Sequence, residues 1–162
     1  MPEIDKSSRH SAIVGKYGEY LVCNWLSRSG YEVVLVDHTG IDVIAFNPKS
    51  NLRMGITVKS RTRDTKEGDG EPVHLLSKKK KSREKLKDAC RYFKCKPWIA
   101  IFVETSKRAD LYLTSLKNYD KKYGNKNNEI DSWKMTKKDK LRYSKDAEVK
   151  HIEIKYTSDH WR

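Results

Sequence analysis

The stretch from Tyr31 to Lys59 constrains the fold more than any other part of the chain. It holds three apolar segments of strand length, Tyr31 to Val36, Ile41 to Phe46 and Leu52 to Lys59. Between them lie turn formers, Gly40 and then Asn47-Pro48-Lys49-Ser50-Asn51, so three successive strands are expected. A helix precedes them. From Ser11 to Arg28 the apolar residues Val14, Leu21, Val22, Trp25 and Leu26 recur at three- and four-residue intervals, one face of an amphipathic helix that Ser29-Gly30 ends. Gly15 and Gly18 interrupt it at a cost of about 1 kcal/mol each relative to Ala. Glycine at such a cost implies a close approach of the helix to a strand or to a phosphate.

Beyond Lys59, residues 61 to 76 are polar around Gly68-Asp69-Gly70 and read as a mobile loop. Lys78 to Lys94 reads as a helix whose narrow apolar stripe, Leu86, Ala89, Cys90 and Phe93, is surrounded by lysine and arginine. Trp98 to Val103 is a buried strand and Leu111 to Thr114 its hairpin partner. Lys117 to Asn128 reads as a loop or frayed helix docked by Trp133. Lys150, Ile152, Ile154 and Tyr156 alternate with polar residues, as a closing strand at a sheet edge would. The expected organisation is a core over residues 1 to 116, with 117 to 162 a basic C-terminal extension of the same domain.

The net charge is +13 over 162 residues, and its distribution says more than its total. Residues 1 to 75 are balanced at ten basic and ten acidic side chains, whereas 76 to 97 carry ten and two, the asymmetry of a surface that attracts a polyanion. Lys78 to Lys81 oppose the dipole of the helix they open, which favours contact with phosphate over a structural role; the other reading is a solubilising lysine surface. No stretch of about eighteen apolar residues exists to span a bilayer, and the polar start Pro2-Glu3-Ile4-Asp5-Lys6 lacks a signal-peptide core, so a soluble intracellular protein is expected. Cys23, Cys90 and Cys95 lack the spacing of a zinc site or a disulfide framework and read as reduced thiols. His10, His74, His151 and His160 lack metal-ligand spacing and read as surface or loop residues.

The chemistry resides in the strands. Alternation gives Asp42 a face with Ile44 and Phe46, and gives Thr57 a face with Lys59. If the pairing register makes those faces coincide, a carboxylate and an ammonium converge as a divalent cation and a phosphate require. Glu19 projects about 20° from Leu26 on the first helix, at the border of its buried stripe. Each residue has a plainer reading: Asp42 as a turn cap, Lys59 as a surface lysine at a strand end, Glu19 as a helix-surface glutamate.

Gly15-Lys16-Tyr17-Gly18-Glu19 in a helix, Gly40-Ile41-Asp42-Val43-Ile44-Ala45 in a strand and Ile56-Thr57-Val58-Lys59-Ser60-Arg61 in the next resemble the PD-(D/E)xK nuclease superfamily. The similarity is to its archaeal Holliday junction resolvase and Mrr-like restriction endonuclease branches and covers about residues 11 to 115. It implies an α/β restriction endonuclease-like core, a mixed central sheet flanked by helices, in the order helix, three strands, helix, two strands. It implies metal-dependent DNA cleavage, structure-selective on branched DNA in resolvase-like members, with magnesium as cofactor and manganese as substitute. Asp42, Glu19 and the Val58 backbone carbonyl would hold the metal, and Lys59 would orient water or stabilise the phosphate. Arg61, Arg63, Lys78, Lys79, Lys80, Lys81 and Arg83 would grip DNA, and a homodimer would supply paired cuts. Thr57 departs from the pattern, standing where the family carries Glu, Asp or Gln. Either Glu19 supplies the missing charge and Thr57 bonds a metal-bound water, or catalysis is lost and a DNA- or RNA-binding module remains. A basic structural protein of a ribonucleoprotein particle is the third reading.

Overall fold

The computed structural model describes residues 4–63, 70–158 and 161. The centre of the expected loop, Gly68-Asp69, lies outside the described residues, as does His160. The order is α1 (His10–Arg28), β1 (Glu32–His38), β2 (Ile41–Phe46), β3 (Arg53–Thr62), β4 (Val73–Ser77), α2 (Ser82–Tyr92), β5 (Lys96–Glu104), β6 (Arg108–Ser115), α3 (Leu116–Lys122), β7 (Ile130–Trp133), α4 (Lys137–Ser144) and β8 (Lys150–Lys155). Six strands form a mixed sheet in the order β1-β2-β3-β5-β6-β8, flanked by helices on both faces. β3 and β5 are parallel and the other neighbours in that sheet antiparallel; the intervening β4 and α2 supply the long connection a parallel pair needs.

One face of the sheet is covered by α1. Val14, Leu21, Val22 and Leu26 bury against Val43, Ala45, Met54, Ile56, Ala100 and Phe102. Gly18 explains itself here, because a Cβ at that position would run into the Ser60 hydroxyl of β3. Gly15 has open space around it, so its cost is not explained by packing within the chain.

The other face carries Ile99, Ile101, Val103 and Tyr112 and is covered by α2 and by an aromatic cluster from the C-terminal third. Trp133 is fully buried, stacked on Tyr143 with centroids 3.9 Å apart and flanked by Tyr112 and Tyr123. Residues 117 to 162 therefore hold more structure than the expected loop and closing strand. β8 does lie at the sheet edge, beside β6. The two-stranded β4-β7 sheet and α4 are additions. β4 escapes the alternation test because Leu75 and Leu76 are both buried where the register shifts between His74 and Ser77. α4 has few apolar residues, but Thr136 accepts from the Asp139 amide, a Thr-x-x-Asp start that was readable in the sequence.

The basic helix begins later than expected. Lys78 to Lys81 form a turn ahead of α2, and Lys81 occupies left-handed backbone space at φ 52°. The lysines thus precede the helix rather than crowd its first turn. Among the described residues no helix is long and apolar enough to cross a membrane.

Candidate active site

β2 and β3 pair in the register Val43↔Ile56, Ile44↔Gly55, Ala45↔Met54 and Phe46↔Arg53. The backbone pairing stops at Val43 and Ile56, and Asp42 meets Thr57 through its side chain instead. The strand does not continue regularly through Asp42. Ile41 packs on the α2 side and Val43 on the α1 side although strand alternation would put both on one face. The Asp42 carboxylate reaches across to β3 just beyond the last paired residues, where it meets Thr57 on the α2 side of the sheet, the side on which Ile44 also packs. There Oδ2 accepts the Val58 amide at 2.7 Å and the Thr57 hydroxyl at 3.4 Å. A side chain has replaced the main-chain partner of β3.

Thr57 is buried and its hydroxyl faces Asp42, so within the protein it orients a carboxylate. Because the N–H and C=O of one residue point to the same side of an extended strand, the Val58 carbonyl faces the same edge as its amide. This side of β3 therefore presents hard oxygens beyond its last pair with β2.

Lys59 shares the α2-side face with Thr57 and Gly55 and is half-buried. Burial pushes its ammonium below the usual lysine range; Asp42 opposes that shift, whereas Arg61 and Lys80 add to it. Among the described residues one carboxylate bears on it against two cations, an excess of positive charge that favours an incoming anion. Lys80 comes from the turn before α2, a neighbour of Lys59 that spacing in the sequence could not reveal.

Glu19 sits on α1, across the sheet from Lys59, with its carboxylate 3.3 Å from Lys16. Among the described residues there is no group of three or more His, Cys, Asp or Glu side chains arranged for a metal ion. Asp42 Oδ2 and the Val58 carbonyl are hard oxygens on the same side of β3, the donor type that a hard cation keeping several waters takes, while Glu19 stands apart from them, paired with Lys16.

The expected phosphate-gripping residues divide. Among the described residues Lys79, Lys80 and Lys81, all exposed, carry no side-chain hydrogen bond or ion pair, and Arg61 bonds the Ser60 carbonyl alone. Arg63 is tied to Glu71 and the Pro72 carbonyl, and Lys78 reaches the Lys126 carbonyl. The Arg83 fork is occupied by Asp120 and Asp131, each at 2.8 Å. Burial disfavours its charge, but hydrogen bonds to the two aspartates outweigh that and raise it above its ordinary value.

Two histidines read as surface residues are engaged. His10 reaches Glu104 at 3.0 Å and Thr62 at 2.8 Å, anchoring the start of α1. His151 meets the buried Asp110 at 2.7 Å and stacks on Tyr112. The cysteines are unpaired, and burial pushes the Cys90 thiol up to about 12, leaving it inert as a nucleophile.

No family model matches the chain, and no curated protein matches it. Among solved structures, the chain is similar to Hjc, a Holliday junction resolvase from the archaeal hyperthermophile Archaeoglobus fulgidus, at 21% identity and a TM-score of 0.48. The match covers 64% of this chain and 73% of the resolvase.

Proposed function

We propose that the protein is a metal-dependent DNA endonuclease of the PD-(D/E)xK type, acting through Asp42, Lys59 and Glu19. The observation that carries this reading is the Asp42 carboxylate just past the last β2–β3 pair, hydrogen-bonded to Thr57 and the Val58 amide beside the partly buried Lys59.

A magnesium ion, with manganese as substitute, would be held by Asp42, the Val58 carbonyl and Glu19, and would supply polarisation of a phosphoryl oxygen and an acidified water. The protein's own work is positioning. Thr57 and the Val58 amide fix the Asp42 carboxylate before substrate arrives. The Lys59 ammonium, half desolvated, stabilises charge that builds on the phosphate during in-line attack. Lys80 and Arg61 draw the backbone toward it, and Lys79 and Lys81 extend the contact. Arg83 is a structural cation in this scheme, and Arg63 and Lys78 contribute through long-range attraction. Branched DNA and a homodimer that cuts symmetrically complete the reading by resemblance.

A second reading rests on a specific contact. The Asp42 oxygen that accepts the Val58 amide does so as a strand cap would, and with neutral Thr57 beside it the site matches a catalytically inactive DNA- or RNA-binding module.

The deciding experiment incubates labelled duplex, single-stranded, flap and four-way-junction DNA with magnesium, manganese or chelator. Wild type is compared with Asp42→Ala and Lys59→Ala. Metal-dependent cutting lost in both variants is expected. Binding without cutting by every version would instead establish the inactive module.

A further inference from the structure

α2 starts just after Lys80, the lysine coupled to Lys59, and runs for 11 residues, about 16 Å. Beside it lies the β1-β2 turn, where Gly40, at φ 97°, touches the α2 backbone at Lys85; a Cβ there would collide with the Lys85 carbonyl. The strand bearing Asp42 is thereby registered against the helix, and the exposed side of α2 leads away from the candidate site.

That side has an unusual far end. Lys85, Asp88 and Tyr92 are spaced three and four residues apart and form one stripe. Tyr92 is 67% exposed and the adjacent Phe93 42%, two large rings left in water at the end of the most basic segment of the chain. The Arg91 guanidinium lies 5.3 Å from the Tyr92 ring centroid and also pairs with Asp88, so the one carboxylate on the stripe is compensated. Phe93 is held edge-on to His38 at 5.2 Å, and its carbonyl accepts from Arg53 at 3.5 Å, which fixes the platform while leaving Tyr92 open.

An apolar protein partner would meet the exposed Lys85, Lys87 and Lys94 here; a nucleic acid meets cations for its phosphates and an aromatic face for a base. Cations tracking a backbone toward an exposed ring are the two elements of single-strand recognition, and stacking is indifferent to base identity. We infer that Tyr92, supported by Phe93 and Arg91, stacks an unpaired base of a nucleic-acid strand that runs along α2 from the Asp42–Lys59 site, so that the preferred substrate carries single-stranded nucleotides a short distance from the phosphate at that site. This deepens the nuclease reading in naming the substrate class, yet the stacking contact requires only binding.

The test is fluorescence anisotropy in chelator, so that nothing is cut, with a labelled fifteen-nucleotide thymidine strand and a duplex of equal length. Tyr92→Ala is expected to weaken single-strand binding about tenfold and duplex binding less than about twofold. Tyr92→Trp is expected to restore it. An unchanged thermal midpoint in Tyr92→Ala excludes a folding effect. Equal losses on both ligands, or none on the single strand, would overturn the inference. If discrimination disappears in Tyr92→Ala while no version ever cuts DNA, the stacking site stands and the nuclease reading falls. If cutting is real and Tyr92→Ala binds as wild type does, the reverse holds.

Discussion

Lys59 and Arg83 are both partly buried cations on the α2 side of the sheet, and their surroundings differ in one respect. Arg83 is matched by two carboxylates, each within hydrogen-bonding distance, and its charge is held more firmly than in water. Among the described residues Lys59 has one carboxylate and two further cations bearing on it, and its charge is held less firmly. The lesson is that burial alone does not mark a functional cation; compensation decides. A matched cation contributes to the fold, while an under-compensated one waits for an anion from outside.

The comparison is broken most severely by exchanging the consequences. Lys59→Ala is expected to lower DNA cleavage by roughly a hundredfold or more with the folded state intact, since an electrostatic stabiliser of the transition state is lost. Arg83→Met should do the opposite, costing about 2 kcal/mol of stability because Asp120 and Asp131 lose their partner in a half-shielded site. Urea titrations of both variants alongside initial cleavage rates check the pair. Equal stability loss in the two would remove the distinction.

A pH titration sharpens it. Because the folded-state value of Lys59 lies below the ordinary lysine value near 10.5, the unfolded chain binds more protons between the two, and stability contributed by this group rises with pH across that window. Lys59→Met is therefore expected to be more stable than wild type at neutral pH and to lose that rise, as followed by denaturation at several alkaline pH values. A wild-type profile identical to the variant's would contradict the assigned environment. Cleavage should fall over the same window as the ammonium loses its proton.

The smallest effect concerns the exposed lysines. Lys80→Ala is expected to reduce the slope of log K against log salt for duplex DNA by about 0.9, one phosphate contact, whereas Arg83→Met leaves the slope unchanged. Binding isotherms over a range of salt concentrations decide it, and an equal change in both would place Arg83 among the phosphate contacts after all.

Much of this was legible in advance where the physics is local. Val14 to Leu26 announce α1 because its buried stripe and the helical period coincide. β2 was bounded correctly because Gly40 and Asn47-Pro48 flank it. Local reasoning failed where a residue's meaning depends on what crosses it. Leu75 and Leu76 hide β4 because an irregular register buries both. Arg83 looked like part of a phosphate grip because Asp120 and Asp131 stand 37 and 48 positions away. Ile41 and Val43 pack on opposite sides of the sheet, a break in alternation that the apolar pattern around Asp42 does not announce.

By itself, the sequence determined the helix and strand periods, the concentration of positive charge in residues 76 to 97, and the presence of an Asp and a Lys on consecutive strands, since each depends on neighbours in the chain. Tertiary structure alone decided which charges are matched: that Asp42 takes the Val58 amide, that the charge of Lys80 bears on Lys59 and that Arg83 is held by two aspartates. Charge compensation and desolvation act through space, and distances across the sheet are set by register and packing rather than by separation along the chain.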